Sequence, residues 1–387
     1  MDPPSGFEST TPGTILRIRK APGNLTDIIA NSSTAYNILY RTTDSQYKPT
    51  WAVATLFLPS VITPNYGEYF LSYQIPYDNA NVDGSSSYVI YEPGVTPTDI
   101  SAGLGRGWHV LTGDYEGPLA SFSAGVMSGH AVLDGVRAVL SGSCAETFGL
   151  LPEVKYALSG YSGGSIASEF AAELQKDYAP ELKFVGVAIG GTVPNITSVR
   201  DTVDGTVSAG LLPSWLVGVT SQFPLARKYL VSVLKKTGPY NATTFFSVAA
   251  SGDIFTDLTV FEFQNISNYF VDGFADLNDP LVQAVVKSDN TMGDHGLPTM
   301  PLFVYKAIHD ELSPVVDTDE LVDRYCELGA SIWYRRNTVG THGSESAAEN
   351  PIAFEFLESV FAGTYSIDGC KIETVTNPAP SQVVVGI

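Results

Sequence analysis

From residue 154 to 361 the chain alternates between short apolar runs and longer segments whose apolar residues recur at helical spacing. "VKYAL" leads into a helix from Gly163, "FVGVAIGG" into a long interruption, "PLFVYKA" into "DTDELVDRYCELG", and "SIWYRRN" into "SAAENPIAFEFLESVF". Apolar runs without polar alternation suit strands covered on both faces, and strand–helix alternation builds a parallel sheet between two helical layers. The expected fold class is therefore α/β, with a mostly parallel central sheet. Such sheets carry their sites beyond the carboxyl ends of the strands, so chemistry is sought in the loops after these runs.

The first third reads as strands: "AYNILYR", "WAVATLFLP", "YFLSYQIPY" and "WHVLTG", separated by Pro, Gly and Asp clusters. From Phe122 the period changes, and "FSAGVMSGHAVLDGVRAVLSG" predicts a helix whose glycines allow close packing. The interruption, residues 193–300, contains "LLPSWLVGVTSQFPLARKYLVSVLKK", too apolar for a solvent loop. It is read as a helical cap inserted into a core formed by 1–192 and 301–387; a second independent domain is the alternative. The tail "TNPAPSQVVVGI" is expected to lie across the cap.

Gly160-Tyr161-Ser162-Gly163-Gly164 matches G-x-S-x-G. The pattern alone is weak in a chain with 36 glycines, but here a strand ends just before the serine and a helix begins just after it. That is the context of a nucleophile elbow, the strained turn that exposes a catalytic serine in α/β-hydrolases. The other reading of Ser162 is an ordinary helix N-cap. A serine nucleophile needs a base, and only His109, His130, His295, His309 and His342 are available. His342, in "TVGTHGSES" after the strand "SIWYRRN", falls where the order serine, acid, histidine requires. The acid should follow the preceding strand, which selects Asp310 in "IHDELSPV". Asp317 or Asp319 could serve instead if that strand ends later, although both suit the start of a helix.

Acidic residues outnumber basic ones 41 to 21, a net charge of −20, which repels nucleic acid and anionic membranes. Charged residues make up only 16%, and five Asn-x-Ser/Thr sequons, at Asn24, Asn31, Asn195, Asn241 and Asn265, favour a secretory route. No apolar stretch is long enough to span a bilayer. The start "MDPPSGFEST" has no signal-peptide pattern, so an exported protein's signal would be missing from this sequence. Of three cysteines, Cys326 and Cys370 are the expected pair and Cys144 the free thiol. No clustered His, Cys and carboxylate spacing calls for a metal, and no cofactor is expected. A monomer is expected.

With these residues in place, the chain resembles the fungal secretory lipase family. "GDYEGPLASFSAGVMSGHAVLDGVRAV" looks like its Asp-aromatic-x-Gly segment and following helix, "GYSGGS" like its elbow, and "HDELSPV" and "GTHGSE" like its acid and histidine loops. The resemblance implies an α/β-hydrolase with Ser162, Asp310 and His342 as triad and an oxyanion hole at Asp114 and Gly163. It also implies a helical cap between serine and aspartate, and a bridge like Cys326 to Cys370. Gly113 departs from the proline common before that aspartate, and three cysteines exclude a second bridge. The activity implied is hydrolysis of carboxylic esters, with a triacylglycerol lipase as the leading expectation; the apolar segment "LLPSWLVGVTSQFPLARKYLVSVLKK" either lines an acyl tunnel or meets a lipid surface, or is plain cap core. An esterase deacetylating a small soluble secondary metabolite, and an inactive binding protein that keeps the pocket, are the alternatives.

Overall fold

Successive side chains of a strand point to opposite faces of a sheet, and here both faces are dry. On β6 (Lys155–Tyr161) Ala157 joins one buried cluster and Leu158 the other; on β8 (Leu302–Ala307) Val304 and Phe303 divide in the same way. The computed structural model describes residues 2–92 and 97–380. Within them, ten strands form one sheet. The others are β1 (Ile15–Lys20), β2 (Ser32–Thr43), β3 (Pro49–Pro59), β4 (Tyr69–Gln74), β5 (His109–Gly113), β7 (Val187–Gly190), β9 (Ile332–Asn337) and β10 (Cys370–Val375).

The strand order is β1-β2-β3-β5-β4-β6-β7-β8-β9-β10. β1, β2, β3 and β5 pair antiparallel in sequence, and from β5 to β10 every pair is parallel. β4 therefore sits between β5 and β6, and its C-terminal end adjoins that of the strand carrying Ser162. One face is covered by the helices Gly125–Leu140 and Gly163–Tyr178, the other by Thr98–Gly105 and His342–Ala362. The first two approach closely through Gly129: a methyl there would stand 2.9 Å from the Phe170 carbonyl carbon.

Between β7 and β8 run six helices: Ile196–Val203, Leu211–Thr220, Pro224–Val233, Ala242–Ala249, Ile254–Phe261 and Pro280–Asp289. The apolar segment of the sequence is two helices broken at Pro224. Their core is continuous with that of the sheet, because Trp215, Phe245, Phe261 and Phe270 share a cluster with Phe170 and Val304. Ties across the junction include Asn290 Nδ2 to the Ser123 carbonyl at 2.6 Å and Ser121 to Ser221 at 2.7 Å.

The edge strands β1 ("ILRIRK") and β10 ("CKIETV") have no counterpart in the sequence reading. Both are largely exposed and mix charge into the run, so neither shows the apolar signature of a covered strand. β10 also changes the picture of the tail. Asn377 hydrogen-bonds Asn337, Ala348 and Glu349, which turns the chain onto the last helix and not across the inserted helices. Residues 381–387 of the tail lie outside the described residues.

Candidate active site

The turn between β6 and its helix is forced by contact on three sides. A Cβ on Gly160 would collide with the Gly164 carbonyl, one on Gly164 with the Gln74 carbonyl, and one on Gly163 with Asp78 Oδ1. Between them Ser162 has φ 53° and ψ −122°, a left-handed conformation that a serine adopts only at a cost of about 1–3 kcal/mol. Ser162 occupies the helix N-cap position but makes no side-chain cap bond. Its Oγ is instead 2.8 Å from His342 Nε2.

His342 is the first residue of the last helix, not part of the loop before it, and Thr341 caps that helix through a capping box. Its backbone is held at both ends: the N–H donates to Glu311 Oε2 at 2.8 Å, and the carbonyl accepts from the Tyr161 hydroxyl at 2.5 Å. His342 Nδ1 lies 2.7 Å from Asp310 Oδ2, while Asp310 Oδ1 accepts from the Leu312 and Ser313 N–H groups, each at 2.9 Å. Lys306 Nζ approaches the same Oδ2 at 2.8 Å. Burial works to raise the Asp310 carboxyl, but the His342 hydrogen bond and the Lys306 ammonium outweigh it and hold it well below the usual range. The structure thus brings Ser162, His342 and Asp310 into one hydrogen-bonded line. Asp317 and Asp319 lie in the next helix, on Ser198 and Tyr334.

Asp114 is not brought to Ser162. Its N–H donates to the Val53 carbonyl at 2.7 Å, and its carboxylate accepts from the Ser87 N–H and hydroxyl at 2.8 and 2.6 Å. It lines a separate cavity of about 450 Å³ beside Trp51 and Tyr88. The acid beside Gly163 is Asp78, on the loop after β4, with φ 45°. Asp78 lines the cavity that holds Ser162 and His342, and its Oδ1 is a buried oxygen without a hydrogen-bond partner among the described residues. Burial raises its carboxyl to about 7. The "DYE" segment, Asp114 to Glu116, holds the Asp78 loop. Asp114 grips Ser87, the Tyr115 hydroxyl reaches the Ile75 carbonyl at 2.7 Å, and the Glu116 N–H reaches the Tyr77 hydroxyl at 2.8 Å.

The space over Ser162 is about 40 Å³, room for a few water-sized groups. Ile196, Val199, Leu211, Leu212 and Trp215 of the inserted helices wall it, with Phe122, Ile166 and Leu312 from the sheet side. The other histidines are engaged elsewhere or exposed. His109 Nε2 is on the Phe148 carbonyl, His130 packs against Tyr178, His295 contacts Glu173 and Ser288, and His309 faces solvent. Among the described residues no group of His, Cys, Asp and Glu is placed to hold a metal ion, and no helix is long and apolar enough to cross a membrane. Cys326 and Cys370 form a disulfide, and Cys144 is free and half-buried.

The secretory lipase family matches residues 92–369. A trichothecene C-3 esterase of Fusarium sporotrichioides is 47% identical, over 98% of this chain and 87% of that protein. The chain belongs to the secretory lipase family. Lipase A of Arthroderma benhamiae is 35% identical over 96% of this chain and 81% of that protein. Candida antarctica lipase A in its closed state superposes with a TM-score of 0.86 at 26% identity, covering 98% of this chain and 90% of that one. The fold is that of the α/β-hydrolase lipases, and this member of the family is an ester hydrolase.

Proposed function

We propose that the protein removes a short acyl group, such as acetyl, from a bulkier alcohol, with Ser162, His342 and Asp310 as triad. Ser162 Oγ attacks the ester carbonyl as His342 Nε2 takes its proton; Asp310 orients the imidazole and stabilises the imidazolium. The Gly163 N–H, at an open helix N-terminus, and the protonated Asp78 carboxyl donate to the oxyanion, each worth about 3 kcal/mol. His342 then returns the proton to the leaving alcohol, and water releases the acyl group by the same route. In this reading the oxyanion role moves from Asp114 to Asp78, because Asp114 has both its N–H and its carboxylate committed elsewhere.

The observation that carries the acyl preference is the apolar wall that Ile196, Leu212 and Trp215 set close over Ser162, leaving a space of about 40 Å³ there. It agrees with a trichothecene ester as substrate, the class named for the Fusarium relative. The second reading is a triacylglycerol lipase with contact to lipid through the inserted helices. It is favoured by the apolar side chains these expose, among them Leu225, Phe255 and Val260. A p-nitrophenyl ester series from acetate to palmitate, run beside a triglyceride emulsion, decides. Acetate is expected to exceed palmitate by at least about a hundredfold in kcat/KM, an interval of roughly 3 kcal/mol; equal rates, or a preference for the emulsion, refute the short-acyl reading. Fluorophosphonate labelling of Ser162, lost in Ser162→Ala, tests the nucleophile and excludes an inactive binding protein. Export follows from the family and the sequons, of which Asn24, Asn31 and Asn265 are exposed while Asn195 and Asn241 cap helices. Exposed sequons are the ones proposed to carry glycans.

A further inference from the structure

The proposed steps of hydrolysis give no part to the cation beside Asp310. Lys306, on β8, has a fully buried side chain, and its ammonium is divided between Asp310 Oδ2 and the Thr192 carbonyl, each at 2.8 Å. Burying an ammonium costs several kcal/mol, so its presence here asks for a return that an apolar side chain would not give. Orientation is not that return. Two backbone N–H groups and the histidine already fix the Asp310 carboxylate. What the lysine adds is charge, placed on the oxygen that would otherwise act on His342 alone.

Resting on the hydrolytic reading above, we propose that Lys306 is a positioning residue that sets the acid limit of this triad by sharing the charge of Asp310. A carboxylate whose charge is partly met by an ammonium has less left with which to stabilise an imidazolium. An ammonium on this oxygen opposes a second positive charge on the pair that Asp310 forms with His342 in acid. The same charge keeps Asp310 ionised there. The neighbouring acids reinforce this arrangement. Asp317, from the next helix, and Glu345, from the last helix, both act on Lys306, and burial raises both carboxyls, Glu345 to about 7. As pH falls they shed charge, and the lysine is left to Asp310. Glu311 meets His342 through its backbone N–H, and Tyr161 through its backbone carbonyl and by a tilted ring contact with the imidazole, centroids 5.3 Å apart.

The test compares the native enzyme with Lys306→Gln, which keeps donors toward Asp310 and Thr192 but no charge, and with Lys306→Met, which keeps neither. The readouts are kcat/KM on a soluble acetyl ester and the rate of fluorophosphonate labelling of Ser162, from about pH 3.5 to 8. In both variants the acid limb is expected to move up by about one pH unit, a tenfold loss at a fixed acid pH. The loss should be concentrated on the acid limb, so that the ratio of variant to native rate rises steadily from acid to neutral pH. A uniform drop with the limb in place overturns the proposal and leaves Lys306 a packing residue. If Lys306→Met does not fold, Lys306→Gln carries the comparison. Lys306→Arg, with the charge kept, must leave the limb where it was; a moved limb there also overturns the idea. Failure of the hydrolytic reading would look different: the native protein itself would be unlabelled and inactive.

Discussion

Replacing Asp78 by asparagine separates two consequences of one buried carboxyl. Its value rises from 3.8 to about 7 because the loop after β4 removes it from water. A shift of about three units is worth about 4 kcal/mol between the protonation states. The folded protein keeps this proton where the unfolded chain has released it. The full benefit is therefore present below 3.8, and stability falls as pH rises from there to about 7. In the proposed mechanism the same proton is the one offered to the oxyanion. Above about pH 7 the donor becomes an anion, and two unit charges about 4 Å apart at an effective dielectric of 20 repel by about 4 kcal/mol, roughly a thousandfold in rate. Asparagine cannot ionise and still offers an N–H. The assay is kcat/KM on an acetyl ester from about pH 5 to 9, with urea unfolding of both proteins at about pH 4 and 8. Native activity is expected to fall on the alkaline side, while Asp78→Asn stays within about tenfold of native at pH 6 and loses that fall. The stability difference between pH 4 and 8 should shrink by up to about 4 kcal/mol in the variant. An alkaline fall and a stability slope both identical to native would rule out Asp78 as the donor and leave that role to Gly163.

Asp114→Ala frees the Asp78 loop without removing a donor, so kcat should drop by about tenfold with KM little changed, whereas loss of a true oxyanion donor costs about 10²–10³; stopped-flow or steady-state kinetics distinguish the two. Leu212→Ala enlarges the space over Ser162 and should raise hexanoate relative to acetate in kcat/KM, at about 2–5 kcal/mol of stability measured by denaturant unfolding. Converting both Cys326 and Cys370 to serine opens a loop with a sequence separation of 44 residues and should lower unfolding free energy by up to about 4 kcal/mol. Activity at low temperature should survive, since Ser162, His342 and Asp310 hold one another without the bridge.

The central strands and the elbow were legible because covered parallel strands write themselves as apolar runs, and because G-x-S-x-G can be checked against the strand before it and the helix after it. That His342 and Asp310 lie beside Ser162 could be read from chain order, which in this fold coincides with order across the sheet from β7 to β9. The resemblance implied Asp114, at the end of β5, for the oxyanion hole, but β4 is the strand beside β6, and it is the loop after β4 that brings Asp78 to Gly163, which is why the proposal places the donor there. A local signal was present in "PYDNA": aspartate is among the few residues that tolerate a left-handed backbone, and this one follows a strand directly. The edge strands were illegible for another reason. With few dry neighbours, β1 and β10 are specified by backbone pairing more than by side-chain burial, and composition carries little trace of that. Lys306 reads in sequence as one more apolar-strand residue with a stray charge; only the fold sets it beside Asp310.

Tools and grip come from different parts of this chain. The proposed serine, acid and base, Ser162, Asp310 and His342, follow β6, follow β8 and open the last helix, while one wall of the space over Ser162 is supplied by residues 193–215 between β7 and β8. A graft that exchanges only that stretch would hand a new acyl preference to an untouched reaction centre. Its natural unit runs from Val193 to Gln222, where contacts with Ser121 and Ser45 seat the insert on the sheet domain. Retuning the pH range, by contrast, would have to be done on β8.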